Sequence, residues 1–310
     1  METIGIVGAG LIGRAWAIVF ARAGFKVNLW DVAPAATAAA RGFIAERLPE
    51  LRDAGLLADP PEAVLARIFP CDTLADALSG VVHVQENGPE RIPEKTALFA
   101  EMDRLAAPEV VLASSTSGIP ASAFTAALAG RARTLVAHPV NPPYLIPVVE
   151  LCPAPWTDPA IVSRTRTLME RAGQVPATVN REVTGFVLNR LQVALVSEAM
   201  RLVADGVISA EDVDATVKHG LGLRWSFMGP LETIDLNAPG GLADYLARYG
   251  SLYSKVQGET RPLALGEDLI ASLHAARRAV LPLADQAARQ AWRDRRLMGL
   301  LAHKAGQDES

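Results

Sequence analysis

The order of apolar and polar residues in positions 1–31 predicts three elements of secondary structure. Residues 3–7 are a short and almost unbroken apolar run, which is typical of a strand buried on both faces of a parallel sheet. From residue 11 to residue 23 the apolar side chains recur at helical spacing, and residues 26–31 form a second short run. We therefore predict a strand, a tight turn, a helix and a second strand.

Further along the chain, short apolar runs alternate with helical segments. Residues 93–106 have the spacing of an amphipathic helix, and residues 34–67, interrupted by Pro60 and Pro61, predict a helical hairpin. From about residue 185 the periodicity is helical almost throughout. We therefore predict a Rossmann-type α/β domain with a doubly wound sheet in residues 1–184 and an all-α C-terminal domain in residues 185–310. The runs predicted to form further strands are 80–86, 109–114, 134–138, 148–152 and, at the sheet edge, 177–180.

Composition excludes several classes of protein. Half of the 310 residues are apolar and the net charge is −4, so the chain can bury a large core but lacks the basic face that nucleic acids require. No apolar run reaches about 18 residues, and the first apolar stretch carries glycines and Arg14, so we expect neither a membrane span nor a signal peptide. Two cysteines are too few for a disulfide framework. We expect a soluble cytoplasmic protein without a metal site.

The first predicted turn carries a dinucleotide-binding motif. Three glycines have the spacing G-x-G-x-x-G, which allows a tight turn, a close approach to a pyrophosphate and packing of the helix on the strand. An aspartate at the end of the second strand can bind both ribose hydroxyls and would repel a 2′-phosphate, which favours NAD over NADP. The alternative is a glycine-rich turn in an unrelated α/β protein. The residues expected at the cofactor are Gly8, Gly10, Leu11, Ile12, Gly13 and Asp31.

Polar residues follow two of the predicted strands. Ser117 ends a serine-rich stretch after 109–114, and His138 ends the run 134–138, so both are expected at the carboxyl edge of the sheet, where ligands bind. The prolines after His138 stiffen the next loop, and Glu150 then returns beside the imidazole, where a carboxylate fixes the histidine tautomer. A lone histidine would more often cap a strand. Asn189, in the apolar stripe of a predicted helix, either bonds to the sheet edge or reaches a substrate.

These motifs together resemble a known family. The stretches "GAGLIG", "SSTSG", "AHPVNPPY", "VVEL" and "GFVLNRLQ" are similar to the L-3-hydroxyacyl-CoA dehydrogenase superfamily. The stretches "HVQENGPE" and "GLGLRWSFMGPLETIDLNAPGG" resemble its lambda-crystallin/L-gulonate 3-dehydrogenase branch more closely. Asn87 and Gly88 depart from the family pattern, and we expect no consequence from that departure.

The resemblance implies a reaction and roles for its residues. His138 would be the general base, Glu150 its orienting carboxylate, and Ser117 and Asn189 the groups that hold the substrate oxygen. Ser117 would also touch the nicotinamide, with Glu90, Lys95 and Asn141 near the cofactor. NAD would oxidise a 3-hydroxy acid to the 3-keto acid, and the helical domain would form a homodimer. The alternatives are a 3-hydroxyacyl-CoA or carnitine-like substrate, and a non-enzymatic, crystallin-like role.

One arginine bears on the choice of substrate. Arg224 lies between glycines and aromatic residues, where a guanidinium needs an anion as its partner. It could clamp the carboxylate of a small free acid such as L-gulonate, a group that a CoA thioester lacks. The alternative is a structural ion pair, for example with Glu232. The sequence leaves the two interpretations open.

Overall fold

The computed structural model of the chain describes residues 1–307. Its main feature is one eight-stranded sheet with the order β3-β2-β1-β4-β5-β6-β7-β8. All neighbouring strands are parallel except β6 and β7, which run antiparallel. The strands are β1 (Thr3–Val7), β2 (Lys26–Trp30), β3 (Ile68–Pro70), β4 (Val81–Glu86), β5 (Val111–Ser114), β6 (Thr134–Pro139), β7 (Val148–Pro153) and β8 (Val175–Thr178).

Helices cover both faces of this sheet, so the prediction of a doubly wound α/β fold is confirmed. On one face, Trp16 and Phe20 belong to the same core cluster as Leu168. On the other face, Phe99 and Met102 belong to a second core cluster, together with Val84. The helices here are α1 (Leu11–Arg22), α2 (Pro34–Asp53), α3 (Pro61–Leu65), α4 (Leu74–Leu78), α5 (Ile92–Leu105), α6 (Ser122–Thr125) and α7 (Pro159–Arg171), with a 3-10 turn at Arg131–Arg133.

The remaining segment is helical, as expected. Its elements are α8 (Leu188–Ala204), α9 (Ala210–Thr216), a π-helical turn (Val217–Leu221), α10 (Gly222–Trp225), α11 (Pro230–Asp235), α12 (Gly241–Glu259), α13 (Glu267–Val280), a 3-10 turn (Leu283–Asp285) and α14 (Gln286–Ala305). No helix among residues 1–307 is long and apolar enough to cross a membrane.

The division into compact units differs in two respects from the expected boundary at residue 184: it falls six residues later, and the last helix belongs to the first unit. The first unit comprises Met1–Arg190 together with residues 290–307, and the second comprises Leu191–Arg289. The last helix, α14, therefore returns to the first unit, where Met298 is 3% exposed within the same core as α1. Helical periodicity identified this helix but could not indicate which core its apolar face joins.

Candidate active site

The turn between β1 and α1 requires its glycines. Gly8 has a φ of 92°, and a Cβ there would lie 2.9 Å from the backbone carbonyl of Asn87. A Cβ on Gly13 would lie 1.7 Å from the Gly8 oxygen, whereas a Cβ on Gly10 would meet nothing within 4 Å. Gly8 and Gly13 thus close the turn, and Gly10 leaves its outer side open at the start of α1. This is the cradle that a pyrophosphate needs, so the turn fits a dinucleotide.

Asp31 is held beside this turn by backbone donors. Its Oδ2 accepts from the Ala9 amide at 2.7 Å, and its Oδ1 accepts from the Ala33 amide at 2.9 Å. Ala9 lies between the first two glycines, so the carboxylate is fixed directly beside the cofactor turn. A carboxylate at the end of β2 is where the ribose of a bound NAD would need one.

The loop after β5 is fixed by a carboxylate. Glu90 Oε2 accepts from Thr116 Oγ1 at 2.7 Å, and Glu90 Oε1 accepts from the Ser117 amide at 2.8 Å. Ser117 itself is exposed. Glu90, implied by the resemblance to lie near the cofactor, therefore holds the backbone that carries Ser117.

His138 and Glu150 form a buried pair across the antiparallel strands. They are direct partners in the β6–β7 register, and His138 Nδ1 lies 2.9 Å from Glu150 Oε2. The side chains are 7% and 3% exposed. A carboxylate only accepts, so Nδ1 carries the proton in the neutral ring and Nε2 is left with a lone pair. The placement of Glu150 beside the His138 imidazole agrees with the prediction made from the stiff, proline-rich loop between them.

Glu150 also holds the start of α8. Its Oε1 accepts from the amides of Val187 and Leu188, at 2.8 and 2.9 Å. Burial raises the pKa of Glu150, but the hydrogen bonds from His138, Leu188 and Val187 and the charge of His138 outweigh it, so the pKa is lowered. One carboxylate therefore orients the imidazole and caps a helix.

A strained turn precedes α8 and contacts the histidine. Gly185 and Phe186 both have positive φ, 74° and 50°, and the second costs roughly 1–2 kcal/mol for a residue with a Cβ. The Phe186 ring is fully buried, with its centroid 5.4 Å from that of His138. The strain is offset by contacts that hold the imidazole and aim the α8 N-terminus at Glu150.

Asn189, in the first turn of α8, meets the loop after β5. Its Nδ2 donates to the Ser117 carbonyl at 2.6 Å. Of the two roles left open by the sequence, the structure places Asn189 in a bond to the sheet edge. The bond also brings the amide next to Ser117, so both side chains lie at the carboxyl edge that carries His138.

The proline-rich loop after β6 is anchored to the end of α1. Arg22 Nη1 donates to the Tyr144 carbonyl at 2.9 Å, and the Leu145 amide donates to Pro142 at the same distance. Burial lowers the pKa of Arg22 to about 10, which leaves it charged at neutral pH. Asn141, implied to lie near the nicotinamide, is exposed in this loop.

Lys95 lies in a buried ion pair, and its implied place near the cofactor stays a prediction. Its side chain is 1% exposed, and its Nζ donates to both oxygens of Glu86, at 2.9 and 3.0 Å. Ser114 Oγ and the Gly88 amide donate to the same carboxylate. The ammonium thus lies beneath the sheet edge in a complete ion pair, and a cofactor contact would require this pair to open. Because Glu86 is buried at the end of β4, its carboxylate needs a cation as partner, and the sequence did not reveal that burial.

Three further polar residues were missed by the sequence analysis. Gln85 and Ser115 are linked to each other and to Asn87 by side-chain hydrogen bonds of 2.6 and 2.8 Å. The Asn87 amide also donates to the Val7 carbonyl before the glycine turn, and the expectation that its departure from the family pattern has no consequence stays a prediction. The signal in the sequence was "HVQE", in which two large polar side chains occupy one face of a buried strand.

Arg224 is an exposed residue of α10 in the second unit. Among residues 1–307 no ion pair joins it to Glu232, the structural partner considered for it. The proposed carboxylate clamp stays a prediction.

Comparisons with known proteins agree with this architecture. Residues 3–183 match the family model of the 3-hydroxyacyl-CoA dehydrogenase NAD binding domain, and residues 185–279 match that of the C-terminal domain. A lambda-crystallin homolog of Bos taurus is 44% identical over 96% of this chain and 94% of its own length. An L-carnitine dehydrogenase of Streptomyces coelicolor is 40% identical over 81% of this chain and 78% of its own length.

A solved structure is similar over nearly the whole chain. It is that of 5-formyl-3-hydroxy-2-methylpyridine 4-carboxylic acid 5-dehydrogenase, described as an NAD+ dependent dismutase. It is 30% identical, has a TM-score of 0.86 and covers 99% of this chain and 100% of the other.

Proposed function

The chain belongs to the 3-hydroxyacyl-CoA dehydrogenase family, and on that basis we propose that it oxidises a small free 3-hydroxy acid to the 3-keto acid, with His138 as general base. The observation that carries the proposal is the buried pair between His138 Nδ1 and Glu150 Oε2, 2.9 Å apart. NAD is the cofactor of the family, and it supplies the hydride acceptor when it is bound. The glycine turn and Asp31 would hold it.

The proton moves to the free nitrogen of the imidazole. Because Nδ1–H is bonded to Glu150, the lone pair on His138 Nε2 is free to take the proton of the substrate hydroxyl. At the same time, hydride leaves the carbon that bears this hydroxyl group. The ring then carries a positive charge, which the ionised Glu150 stabilises at its far side. General-base help of this kind contributes about 10²- to 10⁴-fold to a rate.

The substrate oxygen would be held by Ser117 and Asn189. The Asn189 amide is fixed by its bond to the Ser117 carbonyl, so it keeps one position relative to the backbone that carries the Ser117 side chain. Donors fixed in advance stabilise the charge that develops on the oxygen without reorganising during the reaction. Glu90 supports this arrangement through the Ser117 amide.

For the substrate we propose an L-gulonate-like free acid rather than a CoA ester. L-carnitine, for which one relative is named, is itself a free 3-hydroxy acid. Arg224 would bind the substrate carboxylate, because the planar guanidinium fork suits that group. The alternative, a 3-hydroxyacyl-CoA, is favoured by the name of the family and by a relative that is itself named 3-hydroxyacyl-CoA dehydrogenase.

The deciding experiment screens free 3-hydroxy acids and 3-hydroxybutyryl-CoA with NAD and follows the absorbance of the reduced cofactor. We expect turnover of one or more free acids and little of the CoA ester. His138→Gln should bind NAD normally and lose kcat by orders of magnitude, since the base acts in the transition state. A variant that keeps a tenth of the wild-type kcat would remove His138 from the chemistry. Absence of turnover by the wild type with every compound would favour a non-enzymatic role.

We also propose a homodimer formed through the second unit. Its helices α8 and α12 expose Leu191, Val193, Leu246 and Leu252, which are between 43% and 62% exposed in the single chain. Exposed apolar faces of this extent mark interaction surfaces. Light scattering at micromolar concentration should give twice the mass of the chain, and a monomer would contradict the proposal.

A further inference from the structure

Gln85 continues a sheet ladder at a place where the neighbouring strand has ended. The backbone pairing of β5 with β6 stops at the pair Ser114 and Val136, but β6 runs on to Pro139. The next carbonyl, that of Ala137, accepts instead from the side chain of Gln85 at 3.0 Å. Gln85 is fully buried on β4, two strands away from β6. A side chain thus replaces a missing strand directly before His138.

The orientation of the Gln85 amide follows from its neighbours. A carbonyl oxygen only accepts, so the NH₂ group of Gln85 must face Ala137, and its second hydrogen points to Ser115 Oγ at 2.6 Å. Gln85 Oε1 therefore faces His83 Nε2, 3.1 Å away, and the histidine donates. Burial lowers the pKa of His83 to about 4, so the ring is neutral and carries its single proton on Nε2.

Ser115 closes the network on the side of the cofactor turn. Its Oγ accepts from Gln85 and from Trp16 Nε1, which only donates, so its own hydrogen goes to Asn87 Oδ1 at 2.8 Å. The Asn87 NH₂ then donates to the carbonyls of Val7 and Gln85, at 3.3 and 2.8 Å. With these directions assigned, every N–H, O–H and oxygen of the Gln85, Ser115 and Asn87 side chains has a hydrogen-bond partner. A saturated network of this kind, buried at Gln85 and His83 and half-buried at Ser115 and Asn87, favours one arrangement of its hydrogen bonds.

We propose that Gln85 is a positioning residue for the reaction, which fixes the backbone that carries His138 relative to β4 and the glycine turn. The inference rests on the proposed function of His138 as the base. The opposite edge of β6 is held by β7, through the same register that pairs His138 with Glu150. Without Gln85, the segment around Ala137 would be held on one edge only, and the imidazole could shift with it. Displacement of a catalytic group by about 1 Å can cost about 10²-fold in rate.

The test compares two buried replacements in the same network. Gln85→Met keeps the length of the side chain but removes the donor to Ala137. His83→Leu, the matched control, removes a buried partner of Gln85 and leaves the bond to Ala137 in place. We expect kcat to fall roughly ten- to hundredfold in Gln85→Met and to stay within about twofold in His83→Leu. The Kd for NAD, measured by tryptophan fluorescence, should stay within about threefold of the wild-type value in both variants, because the glycine turn keeps its own backbone hydrogen bonds.

A second readout is independent of turnover. The chain has 5 histidines, so labelling them isotopically gives few imidazole signals, and His138→Gln identifies the one that belongs to His138. The His138 signals should shift in Gln85→Met and superimpose on those of the wild type in His83→Leu. If Gln85→Met does not fold, Gln85→Asn takes its place, since its amide is one methylene too short to reach Ala137.

The outcomes separate this inference from the proposed function. A Gln85→Met enzyme with wild-type kcat, or with unmoved His138 signals, overturns the positioning role and leaves the function standing. Equal losses of kcat in Gln85→Met and His83→Leu would also overturn it, because they would reflect general destabilisation. If the wild type oxidises no hydroxy acid, the proposed function fails, and the His138 signals still decide whether Gln85 positions the imidazole.

Discussion

Replacing Glu150 with glutamine tests whether one carboxylate serves both His138 and α8. The carboxylate accepts three hydrogen bonds, from His138 Nδ1 and from the amides of Val187 and Leu188. A glutamine has one accepting oxygen, so it cannot satisfy both sides. If its oxygen faces the helix, its NH₂ faces Nδ1, which must then accept, and the proton moves to Nε2. The imidazole in that tautomer cannot take the proton of a substrate hydroxyl.

The expected loss of kcat follows from the energy of the other orientation of the glutamine amide. To restore the reactive tautomer, the glutamine must turn its NH₂ toward the two backbone N–H groups of α8. Each unpaired donor costs about 1–3 kcal/mol, so the pair costs about 2–6 kcal/mol. At 1.36 kcal/mol per factor of ten, kcat should fall roughly 30-fold to 10⁴-fold. Both bonds to α8 are part-buried, so the lower half of this range is expected.

The assay measures initial rates of NAD reduction with saturating hydroxy acid, together with the Kd for NAD. We expect kcat to fall in Glu150→Gln while the Kd is unchanged. Glu182→Gln is the matched control, because Glu182 also accepts from a backbone amide, that of Ser122 at 2.8 Å, and remains able to do so as glutamine. A Glu150→Gln enzyme that keeps more than a third of the wild-type kcat would refute the reasoning.

Three further predictions concern the cofactor, the substrate and acid stability. Asp31→Ser should raise the Kd for NAD roughly ten- to hundredfold and narrow the preference over NADP, since a charge-assisted bond contributes about 1.5–3 kcal/mol; equal use of both cofactors by the wild type would contradict this. Arg224→Met should raise KM for the free acid by a similar factor, and an unchanged KM would exclude the clamp. Burial lowers the pKa of His83 to about 4 from 6.5, so the unfolded state binds the extra proton first, and stability should be lost as pH falls from 6.5 to 4, by about 3 kcal/mol. Urea titrations should show a shallower loss in His83→Leu, and identical pH profiles would disprove the assignment.

The sequence was most informative where backbone geometry is dictated locally. The glycine turn followed from Gly8 and Gly13, because only glycine fits the contacts they make. The pairing of His138 with Glu150 could be predicted because a stiff loop between two short strands restricts the positions that the second strand can take relative to the first. The edge strand β3 and the helices α4, α6 and α7 were not predicted. β3 and α4 are 3 and 5 residues long, too short for a periodic signal.

Contacts between buried polar residues were the part that the sequence could not supply. Lys95 and Glu86 lie nine positions apart, and nothing in their spacing indicates that the sheet buries both. The bond from Gln85 to Ala137 depends on where β5 ends relative to β6, which is a matter of register between strands that are distant in the chain. Side-chain identity sets what such residues can donate and accept, but tertiary structure decides which partner they meet.

The return of α14 to the first unit has a consequence for synthesis of the protein. Met298 fills a core whose other members precede residue 173, and the second unit of about a hundred residues separates them. A ribosome that adds roughly 5–20 residues per second needs on the order of 5–20 s to translate that interval. During this time the nascent first unit has an uncovered apolar site where α14 will pack. Chaperones that bind apolar surface should therefore associate with nascent chains between these two points and leave once α14 has emerged from the exit tunnel.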